Sequence, residues 1–138
     1  MSESTEKILG VKQLPIFPLP LVLFPNELLP LHIFEPRYRQ MLKDVQLGNN
    51  LFGISYFDSA ETDWDKPEIG SIGCVTEVRE VQTMDDGRSN ILTVGVIRYE
   101  IEDYVDSDEP YLVAEVSFFE DFEEDINILN PIAEQVFG

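Results

Sequence analysis

Apolar and polar positions follow two different periods along this chain. From Ile72 the row Ile72, Cys74, Thr76, Val78 alternates as a strand does, and its phase slips at Val81 as a β-bulge would make it slip. Asp85-Asp86-Gly87 predicts a hairpin turn, with glycine where a positive φ is needed. In the return segment 89–104, Ile91, Thr93, Gly95, Ile97, Tyr99 and Ile101 alternate against Leu92, Val94 and Val96, and Gly95 is its expected bend. A turn at Ser107-Asp108-Glu109-Pro110 leads to a last strand over 111–120, in which Phe118 and Phe119 must face opposite ways. Residues 49–57 predict another strand, and 58–71 a polar loop carrying Trp64.

The helical period is clearest over 36–47. Tyr38, Met41, Leu42 and Val45 recur at i, i+3, i+4 and i+7, Pro36 suits the first helical position, and Gly48 supplies a stop. Before this helix runs LPIFPLPLVLFPNELLPLHIFE, apolar and broken by prolines. Its length approaches a membrane span, but Pro15, Pro18, Pro20, Pro25 and Pro30 would each remove a helical hydrogen bond that lipid cannot replace. The stretch predicts short extended pieces with a corner at Phe24-Pro25-Asn26-Glu27 and prolines at sheet edges. Leu28, Pro30, His32 and Phe34 should share one strand face and Leu29, Leu31 and Ile33 the other, both buried. Many short strands with one helix, and no βαβ alternation, give a mainly β domain: a small, mostly antiparallel barrel or sandwich. The expected divisions are a polar, mobile lead-in (1–13), the β domain (14–122), and an acidic linker with the start of a helical region (123–138), where Asn130 would be N-cap and Pro131 the first helical residue.

Charge narrows the choice of partners. With 27 acidic against 9 basic residues and a formal charge of −18, the chain repels phosphate, so nucleic acid and anionic membrane are excluded as main partners, while cationic segments are attracted. Cys74 is the only cysteine, which rules out an intrachain disulfide, and the N-terminal residues lack a basic patch followed by an apolar run; both favour a cytoplasmic protein. No glycine-rich phosphate loop is present. His32, the only histidine, has no orienting group that would make a dyad with Cys74 or Ser71, and Asp103, Asp106, Asp108 and Glu109 lack the EF-hand pattern. The reading assigns no catalytic residue, metal or cofactor. The candidate partner-binding residues are Phe24 and Pro25 in the corner, Trp64 in its loop, Phe119 at a strand end, and the basic helix face of Arg37, Arg39 and Lys43.

In order, LPIFPLPLVLFPNELLPLHIFEPRYRQML, LFGISYF, IGCVTEVREV, DDGRSNILTVGVIRYEI and PYLVAEVSFFED resemble the N-terminal, substrate-binding domain of the ATP-dependent protease Lon, from about Leu14 to Phe122. The resemblance implies a PUA-like β-barrel with the 36–47 helix packed on it and a helical bundle following. It also implies a non-catalytic role in recognising unfolded or flexible polypeptides, either as the leading piece of a Lon protease or as a stand-alone LON-domain protein. An assembly module, joined to itself or to a following helical or ATPase region, and a small-ligand-binding barrel are the alternatives.

Overall fold

The computed structural model describes residues 3–62 and 65–119. Trp64, the acidic segment from Glu120 and the helix start at Asn130 lie outside them. The elements are α1 (Glu3–Lys7), β1 (Gln13–Leu19), β2 (Leu28–Ile33), α2 (Pro36–Leu47), β3 (Leu51–Tyr56), β4 (Ile72–Thr83), β5 (Ser89–Tyr104) and β6 (Leu112–Phe118). They form a six-stranded sheet in the order β2-β5-β4-β3-β1-β6, and β6 pairs back onto β5. The ring is therefore closed by β5, β4, β3, β1 and β6, while β2 is added along the first half of β5. All pairings are antiparallel except β1 with β3.

The prolines of the leader occupy places where a strand can lack an N–H. In β1, residues 13–16 pair with β6 and residues 16–19 with β3, so only Ile16 has a strand partner on both sides. Pro15 falls in the first half and Pro18 in the second, each with one edge of β1 free of a strand neighbour. Pro30 lies on β2, which among the described residues pairs with β5 alone.

Two cores follow from the pleat. Inside the ring, Leu14, Ile16, Leu51, Val75, Ile97, Tyr99, Ile101 and Ala114 pack together. The Tyr99 side chain lies against Gly53 and Gly73, where a Cβ would come within 2.6 Å of its hydroxyl oxygen and 2.7 Å of its ring, and the hydroxyl is hydrogen-bonded to Ser55. A side chain thus fills space that a ligand-binding barrel would leave open. On the outer face, Phe17, Phe52, Ile54, Cys74, Val78 and Ile91 meet α2 through Tyr38, Met41, Leu42 and Val45, the four positions the helical period picks out. Tyr38 stacks on Phe17 with ring centroids 4.2 Å apart.

Three expectations change. The lead-in is not simply a polar, mobile segment: residues 3–7 are helical, Ile8 is 5% exposed within the inner core, and Lys7 pairs with Glu77 at 2.8 Å. The two faces of β2 are not both buried. Ile33 is buried and Leu29 and Leu31 half-buried, but Leu28 is 66% and Phe34 53% exposed, because nothing among the described residues packs on the outer face of this added strand. Gly95 serves a close approach rather than only a bend. Pro25 and Asn26 form the corner, with Asn26 at φ 72°, and the corner docks on Gly95: Asn26 N–H donates to Gly95 O and Gly95 N–H to Glu27 O, both at 2.8 Å. One register shift falls beside it, where Val96 is the extra β5 residue opposite Val75 and Thr76, and a second falls at Arg79, just before the slip expected at Val81.

Candidate functional site

α2 covers only part of the outer face. The same face continues past it from Ile54 to Tyr56 on β3, from Cys74 to Ile72 on β4, and to Arg98 on β5; the register sets Ile54 beside Cys74 and Cys74 beside Arg98. Arg98 points outward because its neighbours Ile97 and Tyr99 point into the ring. The link from β1 to β2 passes over this region, and Leu21, Val22, Leu23 and Phe24 form the opposite wall of a groove of about 290 Å³. Val22 (63%), Phe24 (53%), Ile72 (50%) and Tyr56 (47%) remain about half or more exposed. Four large apolar side chains around one groove amount to more than scattered surface hydrophobics.

Polar groups frame the groove. Glu27 fixes the corner by accepting the Phe24 N–H at 2.8 Å. The Tyr56 hydroxyl donates to Glu61 Oε1 at 2.6 Å; this bond, then burial and the charges of Glu61 and Asp58, hold the phenol above its ordinary pKa. Burial pushes the Cys74 thiol up from 9.0 to about 12, opposed by hydrogen bonds from the Val96 and Ile97 backbone. A thiol so held is not a nucleophile near neutral pH. His32 is no partner for it: His32 pairs with Asn90 and Cys74 with Arg98, eight positions further along β5, or roughly 26 Å at about 3.3 Å per residue. The imidazole Nδ1 instead shares a 2.7 Å hydrogen bond with Asn90 Oδ1. Among the described residues no three His, Cys, Asp or Glu side chains gather as metal ligands would, and no helix is long and apolar enough to cross a membrane.

The structure brings some of the candidate residues together and separates others. Phe24 walls the groove, and Pro25 sits behind it in the corner on Gly95. Phe119 reaches the same place from the far end of the sequence: its N–H donates to Arg98 O at 3.1 Å, and its ring lies 5.5 Å from the Arg98 guanidinium. The basic helix face lies elsewhere. Arg37 pairs with Glu35 at 3.2 Å beside a separate hollow of about 840 Å³, Arg39 donates to Phe34 O at 3.0 Å and approaches Gly87 of the hairpin, and Lys43 is exposed on α2. Sequence reasoning missed Val22, Tyr56, Ile72 and Arg98. The alternating pattern places Ile72 with Cys74, but it cannot tell that the helix stops short of Ile72.

Comparisons with known proteins agree with this architecture. The Lon protease of Flavobacterium johnsoniae is 32% identical over 105 residues, covering 75% of this chain, and that of Syntrophomonas wolfei is 30% identical over 119 residues, covering 85%. The chain spans only 13% and 14% of those relatives' lengths. Among solved structures, a Lon N-terminal domain protein from Xanthomonas campestris superposes with a TM-score of 0.64 at 25% identity, over 78% of this chain and 60% of that one. The N-terminal domain of a Mycobacterium avium complex Lon protease, at 15% identity, shares the fold with a TM-score of 0.60 over 78% of this chain and 55% of its own. The model of the ATP-dependent protease La (LON) substrate-binding domain matches residues 13–136, and the chain, with its mixed barrel and packed α2, belongs to that family.

Proposed function

We propose that the chain is a non-catalytic protein-binding module that recognises unfolded or flexible polypeptide segments for ATP-dependent proteolysis, and that the groove between the Leu21–Phe24 link and the β3–β4–β5 face receives them. The observation that carries this reading is the half-exposed set Val22, Phe24, Tyr56 and Ile72 around one groove. Fully burying a large apolar side chain contributes about 1.5–3 kcal/mol, so covering the exposed halves of four such residues contributes roughly 4 kcal/mol. That corresponds to a dissociation constant on the order of a millimolar for a single segment, before any cost of ordering it. Binding this weak suits a module that samples many sequences.

The test is an NMR titration of the ¹⁵N-labelled chain with reduced and alkylated ribonuclease as a permanently unfolded polypeptide. Amide shifts should concentrate at Tyr56, Ile72, Cys74 and Arg98 and vanish in the Val22→Ser/Ile72→Ser double variant. Shifts confined to other residues, or unchanged in that variant, overturn the assignment.

A further inference from the structure

Tyr56 is a wall shared by two spaces. On one side lies the apolar groove over Ile54 and Cys74; on the other lies a shallower hollow of about 230 Å³ lined by Asp58, Glu61 and Glu68, with Lys66 as the one lining cation among the described residues. The Lys66 ammonium lies 4.4 Å from the centre of the Tyr104 ring, so an aromatic face receives part of its charge. Glu61 binds the Tyr56 hydroxyl through Oε1, and a carboxylate has acceptor capacity beyond one such bond. Glu27 adds a carboxylate at the corner beside Phe24. The chain as a whole carries −18.

From this juxtaposition we infer the class of segment the groove takes: an extended polypeptide whose apolar residues enter the groove and whose next residues along the chain are lysine or arginine. The inference rests on the groove reading of the previous subsection and specifies its occupant. An apolar side chain seated against Val22 and Ile72 leaves the segment to run across the Tyr56 ring. A cationic side chain there meets an aromatic face and then carboxylates. The complementary field also draws basic segments in from solution and opposes acidic ones, even where each exposed charge pair is weak. Acidic flanks meet like charge on the same path.

The test uses the 138-residue chain and three labelled twelve-residue peptides: an apolar centre of leucine, valine and phenylalanine flanked by lysines, the same centre flanked by glutamates, and a serine centre flanked by lysines. Affinities are read from NMR shifts at the groove amides in 50 mM and 500 mM salt. The lysine-flanked apolar peptide should bind about five-fold tighter than the glutamate-flanked one per charge pair engaged, with the gap closing at high salt. The Glu61→Gln/Glu68→Gln variant should narrow the gap at low salt. Equal binding of both apolar peptides overturns the basic-flank inference but leaves the groove reading standing. Equal binding of the serine-centred peptide overturns the groove reading itself. Groove shifts that follow protein concentration without peptide would assign the groove to a second copy of the chain and overturn the inference.

Discussion

Replacing Gly95 by alanine tests how the groove wall is held. A Cβ at this position would lie 2.3 Å from Phe24 O, 3.1 Å from Phe24 C and 3.3 Å from Pro25 Cα. All three atoms are backbone, so no side chain can swing aside and the corner itself must lift. Lifting it breaks the reciprocal bonds between Asn26 N–H and Gly95 O and between Gly95 N–H and Glu27 O. Overpacking of this kind costs about 1–3 kcal/mol if the corner is retained under strain, and a corner that lifts instead loses both hydrogen bonds at about 1 kcal/mol net each, so the loss is about 1–3 kcal/mol either way. In urea, with a slope of about 1–2 kcal/mol/M, the midpoint should fall by about 0.5–3 M with an unchanged slope. The Asn26 amide should lose its protection from hydrogen exchange, and the peptide affinity of the groove should fall because Phe24 moves with the corner. A stability change below about 0.5 kcal/mol with Asn26 still protected would refute the close-approach account.

Three further outcomes follow from the packing and the titrations. Tyr38→Ala removes a buried ring stacked on Phe17 and should cost about 3–5 kcal/mol by chemical denaturation, a loss that Tyr38→Phe avoids in large part. Because the folded Cys74 thiol titrates near 12 against an ordinary 9.0, its contribution is complete below pH 9 and is lost as pH rises towards 12. The Cys74 share of the fall, read as the difference between the native chain and Cys74→Ala, should have a slope of up to about 1.4 kcal/mol per pH unit in that window, and iodoacetamide at pH 8 should label the thiol only in denaturant. Tyr111→Phe removes the 2.5 Å hydrogen bond that Tyr111 donates to Asp44, the largest of the effects lowering that carboxyl's pKa; the pKa should move back towards the ordinary value in a ¹³C NMR titration.

Much of the fold can be read from particular residues. Pro36, the spacing of Tyr38, Met41, Leu42 and Val45, and Gly48 define α2 because a helix carries its own hydrogen bonds and displays its period locally. The corner at Pro25-Asn26 and the hairpin at Gly87, φ 92°, are legible for the same reason: both are local demands on φ. Residues 28–34 mislead because a continuous apolar run looks the same whether a strand has layers on both faces or stands at an edge. Ile8 was hidden as a lone apolar residue after a charged helix. The groove was only half legible. Phe24 stood out as an aromatic in a turn, but Tyr56, Ile72 and Arg98 come from three strands, and their exposure is decided by how far α2 extends over the sheet.

The divided loyalty of β1, first to β6 and then to β3, sets a timetable for synthesis. Gln13 to Ile16 find their partners only when residues 112–115 have left the ribosome, so one of the earliest strands made must wait for the last. During that wait it is an apolar ribbon with unclaimed backbone, the kind of segment that recruits other nascent chains. Pro15 and Pro18 each delete a donor from that ribbon, making it a poor template for intermolecular sheets while leaving the eventual ring intact.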